Sequence, residues 1–586
     1  MTRRQRSRPR ASQPQLEKVA PPPNRPRHVW TLAVFAVLFV TLEVISYTRE
    51  SATYDEPIHV TNGYFSLALQ DYRVDPEHPP FLRMWSALPL LTLSEVKAHP
   101  QVIDSMTPAD WALSGLFGYA HQFMYVDNDA DRLLYRGRLM VVLLGLALGG
   151  VVYWWAFEWF GWTTALTALA LYTLEPNLAA HARLVTTDFG VTCFIFAAVF
   201  FLWRTIERWR PANIAGLVLC VALALTSKFS SVILVPILAW LIVAAVVARR
   251  LTAARAAGLV VLLGVTSVTA IWAVYGFRYL PSPSAGWQYA FHADPYAIER
   301  APTLARIAGW VDGHRLLPNV YTQGMLLSQA RAQLRSAFLA GEYTQEGWWY
   351  YFPVAVALKT PLTLLLLAAL GGALCVKTHK RPGIAFVIVP IAIYLGWSMT
   401  VRINIGVRHV LPIYPFLIML AALAIHHLWA RGRRYLVAAA VGLCALEAGT
   451  AYPHTLAFFN VLAGGPSGGI AYLGDSNLDW GQDLKALKSW MDEHRVESIS
   501  LGYWGHADPD YYGINCTYLP GAPGWIDLKL LQRPRLPGYV AVSATLLQGI
   551  YAENEGQRDY YRRLLSHEPI AIIGHSIYVY YLDRQW

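Results

Sequence analysis

Residues 30–47 read WTLAVFAVLFVTLEVISY, an apolar run whose one charged residue is Glu43. A helix needs about 20 such residues to cross the hydrocarbon core of a bilayer. The run follows a polar segment that is rich in arginine and has no clear small-residue cleavage site. We therefore expect it to stay in the protein as a first transmembrane helix.

Further apolar runs continue along the chain, and two of them, 162–176 and 212–227, are short. They cover residues 136–157, 162–176, 186–203, 212–227, 230–248, 256–277, 351–376, 383–400, 407–428 and 434–450. The composition agrees, because 55% of the residues are hydrophobic and 15% are charged, against roughly 25% charged in soluble domains. The sequence therefore predicts an all-α polytopic membrane bundle of about eleven transmembrane helices. The piece 81–93 is too short to cross and suits a helix along the interface.

Basic residues mark one face of the predicted bundle, since short cytoplasmic loops carry an excess of Lys and Arg. With the arginine-rich segment 1–29 in the cytoplasm, the short basic loops all fall on its side. They contain Arg204, Arg208, Arg210, Arg249, Arg250, Arg255, Lys377, Lys380, Arg381, Arg431, Arg433 and Arg434. We expect a multi-pass protein of the inner (plasma) membrane with a cytoplasmic N-terminus. The net charge of +10 follows from this topology and does not indicate a nucleic-acid partner.

The opposite, extracytoplasmic face receives the long polar segments. Two of them, 48–135 and 278–350, are loops of the predicted membrane domain 30–450. The third, 451–586, combines polar helical stretches with β-like runs at 539–544 and 570–581. We expect this third segment to form a small α/β domain outside the membrane.

Two adjacent carboxylates, Asp55 and Glu56, follow the first predicted helix within the sequence TYDEPIH. A carboxylate in the low-dielectric surroundings of an interface suits a general base. The alternative is a solvated helix end without a chemical role. His59, His78 and Asp188 lie on the same predicted face and are candidate substrate-binding residues.

The sequence from Tyr54-Asp55-Glu56 to His78-Pro79-Pro80, with Phe81-Leu82-Arg83 after it, carries a resemblance. It resembles the group of the dolichyl-phosphate-mannose protein mannosyltransferases and the aminoarabinose lipid A transferases. These are integral-membrane glycosyltransferases of the GT-C superfamily. The group has an Asp-Glu pair in its first external loop and a Pro-Pro-hydrophobic-basic segment on a juxtamembrane helix. The resemblance extends over approximately residues 30–430.

This resemblance implies an inverting transfer of a sugar from a polyprenyl-phosphate-linked donor to an acceptor hydroxyl on the external face. It implies that Asp55 is the catalytic base, that Glu56 holds the acceptor or orients Asp55, and that Arg83 contacts the lipid phosphate. Inverting transfer needs one base and no carboxylate nucleophile. The acceptor stays open among lipid, glycan and protein, and the sugar stays open between hexose and pentose.

Three further cations lie on the predicted external face, where the topology rule does not explain them: Lys228, Arg402 and Arg408. A phosphate leaving group needs positive charge at the site. We therefore expect these residues to bind the donor phosphate. The alternative for each is snorkelling to the lipid headgroups.

We expect no required cofactor. His59, His78 and Asp188 match no known metal-ligand spacing, and donors of this group carry one phosphate, which lessens the need for a divalent clamp. A bound divalent metal ion is the less favoured alternative. The five cysteines form no CxxC pair, so a disulfide framework or a structural zinc site is not expected.

Two other functions stay open on the sequence. A transporter or flippase of a lipid-linked sugar also needs interfacial cations, but many transporters have repeated halves and no repeat is apparent. An accessory membrane protein would use residues 451–586 to bind glycan or envelope partners. In that region the segment GDSNLDWGQD, at 474–483, resembles bacterial members of the same superfamily whose function is unassigned, so the segment predicts no role.

Overall fold

The computed structural model describes residues 25–104, 115–284, 286–377, 383–521 and 523–586. Most of the predicted basic tail 1–29 lies outside these residues. Lys380 and Arg381, which the sequence places in a cytoplasmic loop, also lie outside them.

The predicted apolar runs are mainly helical, because a helix satisfies its own backbone hydrogen bonds where water is absent. The first α-helices are α1 Arg25–Arg49, α2 Glu56–Tyr64, α3 Phe81–Ala87, α4 Pro100–Asp104, α5 Gly115–His121, α6 Ala130–Phe160, α7 Trp162–Thr173, α8 Pro176–His181, α9 Thr187–Glu207, α10 Pro211–Leu225, α11 Leu234–Val247 and α12 Ala253–Val274. After them come α13 Pro295–Arg300, α14 Pro302–Gly313, α15 Asn319–Ala332, α16 Tyr351–Lys359, α17 Leu362–Lys377, α18 Ala385–Ser398, α19 Tyr414–Ala430, α20 Arg434–Gly449, α21 Gly465–Gly468, α22 Leu484–Glu493, α23 Ala544–Gln548 and α24 Glu555–Arg562.

Six helices of the described residues are long and apolar enough to cross a membrane, by length and composition. They are α1, α6, α9 and α12, together with α11 and α19 extended by the 3-10 turns before them. The pair α16 and α17 is a seventh candidate, but it is bent by 117°. Pro361 lies at the bend, where it cannot donate a helical hydrogen bond, so the predicted run 351–376 is two helices rather than one. The predicted number of eleven spans is not confirmed.

Helices α9 and α19 form the centre of the bundle, since 89% and 83% of their apolar windows are buried. The corresponding shares in α1 and α12 are 17% and 11%, which places these two helices at the periphery. Aromatic rings fill the space between α6, α9 and α19. The Phe196 ring lies 5.1 Å from Trp155 and 4.9 Å from Phe416.

Helices α2 and α3 meet in close backbone contact just after α1. A Cβ atom at Gly63 would lie 2.2 Å from the carbonyl oxygen of Arg83, so this approach requires glycine. The predicted interfacial piece 81–93 consists of α3 and the 3-10 helix Leu88–Thr92. Leu82 and Arg83 are buried, so one side of this piece packs into the bundle.

A five-stranded sheet forms in the C-terminal region, with the strand order β4-β3-β5-β7-β6. The strands are β3 Ile499–Gly502, β4 Cys516–Tyr518, β5 Gly538–Ser543, β6 Ala571–Ile573 and β7 Ile577–Leu582, while β1 Ala337–Leu339 and β2 Glu342–Thr344 form a separate hairpin. Strand β3 pairs in parallel with β4 and β5, and β7 pairs antiparallel with β5 and β6. The predicted small α/β unit is therefore present, with the run 570–581 divided into two strands. Its boundary at residue 451 stays a prediction.

The C-terminal region holds the loop between α1 and α2. The Ser51 amide donates to Gln482 O at 2.9 Å, and the Tyr54 amide donates to Trp480 O at 2.8 Å. The Tyr54 carbonyl lies 3.0 Å from His506 Nδ1. Buried backbone groups need such partners, so the C-terminal region fixes the position of this loop.

We expect Gly63→Ala to lower the free energy of unfolding by about 1–3 kcal/mol, because the added methyl group has to displace the backbone of α3. Gly118→Ala is the matched control, since no atom lies within 4 Å of its Cβ position and alanine is the better helix former. Thermal unfolding of the purified full chain in detergent micelles measures both. Equal effects of the two changes would contradict the close contact of α2 and α3.

Candidate active site

A cavity of about 600 Å³ lies at the end of the bundle where α1 ends and α9 begins. We refer to this end as the site end. The cavity wall combines the loop after α1, the segment before α19 and the C-terminal region. Its charged side chains are Asp55, Asp75, Glu77, Lys228, Arg331, Arg335, Arg402, Arg408 and Asp475. Residues from distant parts of the sequence therefore share one polar space.

Asp55 lies immediately before α2 and lines the cavity. Its Oδ2 accepts a hydrogen bond of 3.0 Å from Arg408 Nη1. The Asp55 side chain is 28% exposed, so a hydroxyl group in the cavity can reach it. This accessibility is the geometric requirement for a general base. The role of Asp55 as the catalytic base stays a prediction, and the position of its side chain is compatible with that role.

Arg408 joins several parts of the wall. Its Nη1 lies 3.5 Å from Asp188 Oδ2, and its Nε donates to Ser476 Oγ at 3.1 Å. The guanidinium group also lies over the Trp480 ring, 4.2 Å from its centroid. Because Arg408 is shared between Asp55 and Asp188, it offers less net charge to a phosphate than an unpaired arginine.

Lys228 is neutralised in a similar way. Its ammonium group forms an ion pair with Asp188 Oδ1. Asp188 lies in the first turn of α9, is 2% exposed and does not line the cavity. Asp188 therefore affects the cavity through Lys228 and Arg408, whose charges it partly neutralises. Its side chain is not accessible from the cavity in this structure, so the predicted direct contact with substrate is not available.

Glu56 is fully buried and does not line the cavity. Its Oε1 accepts hydrogen bonds of 2.9 Å from Arg138 Nε and from the Val185 amide. Its Oε2 accepts from Arg138 Nη2 at 2.6 Å and from the Thr53 amide at 2.8 Å. No acceptor contact is available to Glu56 in this arrangement. The other predicted role, orienting the neighbouring Asp55, is compatible with it.

Arg83 is also buried, with 1% of its side chain exposed, and does not line the cavity. Its guanidinium group donates to the Asp75 carboxylate, to Asp75 O at 3.0 Å and to His59 Nδ1 at 2.9 Å. The predicted contact between Arg83 and the lipid phosphate is therefore not one that this structure offers. Arg83 instead orients Asp75 and His59, which do line the cavity.

His59 and His78 line the cavity with their rings 5.5 Å apart. Burial, together with the positive charge of Arg83, lowers the pKa of His59 well below its ordinary value and lowers the pKa of His78 to about 3. Both imidazoles are therefore neutral at physiological pH. They can hydrogen-bond to substrate hydroxyl groups without adding charge, and their substrate-binding role stays a prediction.

Two wall arginines, Arg335 and Arg402, have no ion pair among the residues that the structure describes, and both are exposed. Arg402 is one of the predicted phosphate ligands. Arg335 is not among them, because no motif surrounds it in the predicted external loop 278–350. Its place just after α15 brings it to the cavity. The signal that could have found it is the one used for Lys228, a cation on the predicted external face.

The C-terminal region contributes its own carboxylate, Asp475, which the sequence analysis did not identify. Asp475 is 6% exposed and lines the cavity. Its Oδ1 accepts from the Ser476 amide at 2.5 Å, and its Oδ2 accepts from the Tyr551 hydroxyl. Burial raises the pKa of Asp475, and the positive charge of Arg408 partly offsets this effect. The available signal was the density of polar residues in GDSNLDWGQD.

No group of three His, Cys, Asp or Glu side chains in the described part of the chain is arranged to hold a metal ion. His59 instead accepts from Arg83, and Asp188 pairs with Lys228. The expectation of a reaction without a required metal stays a prediction.

The fold and the cavity together define a multi-pass membrane protein with a charged site at one end of its helices. Within that class, residues 133–272 match the family model described as dolichyl-phosphate-mannose-protein mannosyltransferase. This match confirms the predicted resemblance to this group over a segment that runs from α6 to α12 and contains Asp188 and Lys228. A comparison with curated proteins found no match.

Solved structures also match this chain. ArnT from Cupriavidus metallidurans in the apo state is 14% identical with a TM-score of 0.32, covering 94% of this chain and 98% of that chain. ArnT bound to undecaprenyl phosphate is 12% identical with a TM-score of 0.31 and the same coverage. The oligosaccharyltransferase of Archaeoglobus fulgidus in the apo form is 15% identical with a TM-score of 0.45, covering 92% of this chain and 69% of that chain. At these values the similarities assign neither a donor nor an acceptor.

We expect Glu56→Ala to lower the free energy of unfolding by about 3–5 kcal/mol, because it leaves the buried Arg138 guanidinium without its partner. Asp55→Asn, at a partly exposed pair, should change it by less than about 1 kcal/mol. Thermal unfolding in detergent micelles compares the two variants. Wild-type stability of Glu56→Ala would contradict the structural account of Glu56.

Proposed function

We propose that this protein is an inverting glycosyltransferase that moves a sugar from a polyprenyl-phosphate-linked donor to an acceptor hydroxyl. One observation carries the proposal: the accessible Asp55 carboxylate lines the same cavity as Arg335 and Arg402, two arginines without an ion pair among the described residues. A carboxylate that shares a cavity with arginines suits a reaction that deprotonates one group and stabilises an anionic leaving group. The match of residues 133–272 to the mannosyltransferase family model supports the same class of reaction.

In the proposed reaction Asp55 removes the proton from the acceptor hydroxyl. The hydroxyl oxygen forms a bond to the anomeric carbon of the sugar while the bond from that carbon to the phosphate oxygen breaks. The polyprenyl phosphate leaves with the electron pair, and the proton on Asp55 passes to solvent. One displacement inverts the configuration, so no second carboxylate is needed as a nucleophile.

We assign the donor phosphate to Arg335 and Arg402. The other wall cations that the sequence indicates, Arg408 and Lys228, are already paired with carboxylates, so they add less net charge. Guanidinium groups bind phosphate through two parallel hydrogen bonds, which are among the stronger ones in proteins. In this proposal Arg408 and Lys228 make a weaker electrostatic contribution to phosphate binding than Arg335 and Arg402, and no resident metal ion is assigned.

The proposal places the site end on the extracytoplasmic face of the inner (plasma) membrane. Support comes from the basic residues at the opposite ends of the central helices. Arg204 and Arg208 lie at the end of α9, and Arg431 follows α19. Because cytoplasmic loops are enriched in such residues, the N-terminus is then cytoplasmic and the C-terminal sheet extracytoplasmic.

We expect Asp55→Asn to reduce sugar transfer at least about 100-fold, since a general base contributes about 10²–10⁴-fold to the rate. The assay uses the full chain in proteoliposomes, radiolabelled polyprenyl-phosphate sugars and a crude envelope acceptor fraction. Asp510→Asn, an exposed carboxylate off the cavity wall, is the matched control. Wild-type transfer by Asp55→Asn would rule out Asp55 as the base. Movement of the labelled lipid across the bilayer without any transfer would favour a flippase instead.

We expect Arg335→Ala and Arg402→Ala each to raise the KM for the donor about 10-fold or more, because each removes a charge-assisted hydrogen bond to the phosphate. Arg306→Ala is the control, since Arg306 is exposed and does not line the cavity. Initial rates measured against donor concentration give the KM values. An unchanged donor KM in both variants would contradict the assignment of the phosphate.

A further inference from the structure

The C-terminal region forms one wall of the cavity, and no residue of this wall takes part in the reaction proposed above. The wall presents Asp475, Trp480, Trp504 and Tyr551. Trp504 is stacked between Tyr54 and Tyr551, with ring centroids 4.9 Å and 4.4 Å apart. This stack connects the loop that carries Asp55 to the C-terminal region, so the wall is a fixed part of the site.

Asp475 adopts a backbone conformation that residues other than glycine rarely take, with φ at 53°. Such conformations are strained, persist where the surrounding structure imposes them and cluster at functional sites. The carboxylate of Asp475 is nearly buried, yet it lines the cavity. Its Oδ2 is bonded to the Tyr551 hydroxyl, which leaves capacity on a carboxylate with about four lone-pair sites.

Asp475 and Asp55 both line the cavity, and the contacts of Arg408 connect their surroundings. Asp55 accepts from Arg408 Nη1, while Arg408 Nε donates to Ser476, the residue after Asp475. The charges of both carboxylates also act on the Tyr54 hydroxyl group. Burial raises the pKa of Tyr54, and the negative charges of Asp55 and Asp475 raise it further. Arg408 therefore connects the Asp55 carboxylate to the residue that follows Asp475.

We propose that Asp475, supported by Tyr551, binds a second hydroxyl group of the acceptor, next to the one that Asp55 deprotonates, and that the acceptor is a carbohydrate. The inference rests on the proposed function and names its acceptor class. A sugar ring carries neighbouring hydroxyl groups, which two carboxyl groups of one cavity can bind together. A serine or threonine of a protein presents a single hydroxyl group, which would leave the remaining hydrogen-bonding capacity of Asp475 unused.

The test uses acceptors of defined structure with the full chain in lipid nanodiscs. The probes are methyl glycosides, their octyl counterparts as membrane-anchored sugars, single deoxy derivatives of each, and a short threonine peptide. Radiolabelled polyprenyl-phosphate sugars are the donors. Asp475→Asn and Tyr551→Phe are compared with wild type and with the control Asp510→Asn. The octyl and methyl arms separate a glycolipid acceptor from a soluble glycan.

We expect Asp475→Asn to raise the KM for a glycoside acceptor about 10-fold or more, with the donor KM unchanged and kcat within about threefold. One deoxy position should weaken the wild-type reaction and have no further effect in Asp475→Asn, because both changes remove the same hydrogen bond. Tyr551→Phe should show a smaller shift in the same direction. A role of Asp475 in folding alone would not reproduce this dependence on one hydroxyl group.

Three results would overturn the inference: transfer to the threonine peptide and not to glycosides, an unchanged acceptor KM in Asp475→Asn, or a loss of kcat equal to that of Asp55→Asn. Saturation-transfer NMR of the methyl glycosides gives a second readout, independent of turnover. Glycoside binding that Asp475→Asn abolishes, in a protein that transfers no sugar, would keep the carbohydrate site and reject the transferase. Sugar transfer without glycoside binding would reject the carbohydrate site alone.

Discussion

Burying a charged side chain at the end of a membrane bundle costs free energy unless the charge has a partner. Arg408 provides such a partner and connects three parts of the chain. Its guanidinium group bonds to Asp55 after α1, faces Asp188 at the start of α9 and donates to Ser476 of the C-terminal region. The Trp480 ring covers its face. Removal of Arg408 would leave two carboxylates without their shared cation, so the position of the candidate base depends on this one side chain.

The charged residues at the site end fall into two groups: buried ion pairs that stabilise the loops, and arginines of the cavity wall that can bind substrate. Glu56 with Arg138 and Arg83 with Asp75 are buried pairs that hold the loops in place. Arg335 and Arg402 lie on the cavity wall without a carboxylate partner among the described residues. The fold thus provides structural cations that are already neutralised and a smaller number that are free to meet an anionic leaving group. The division follows from desolvation, because a buried charge without a partner destabilises the fold far more than an exposed one.

The sequence predicted what depends on local composition. Apolar runs predicted the helices, and the short β-like runs 539–544 and 570–581 predicted C-terminal strands. Cations off the basic face pointed to Lys228, Arg402 and Arg408, which the structure brings to one cavity with Asp55. Partners and depth were not predictable, since they depend on tertiary packing.

Glu56 and Arg83 show this limit most clearly. Glu56 was predicted to be a second carboxylate of the site, because the sequence does not reveal its ion pair with Arg138, which lies inside a distant apolar run. Arg83 matches a motif of the group that the chain resembles, but neighbouring residues bury it. Asp475 reaches the site through the fold of a region that the motif argument did not extend to. The most direct test of the central claim is a cryo-electron microscopy structure of Asp55→Asn with a polyprenyl-phosphate sugar bound. The account predicts the phosphate between Arg335 and Arg402, with the anomeric carbon facing residue 55 and the C-terminal wall. A phosphate bound at the opposite end of the bundle, or outside this cavity, would contradict it.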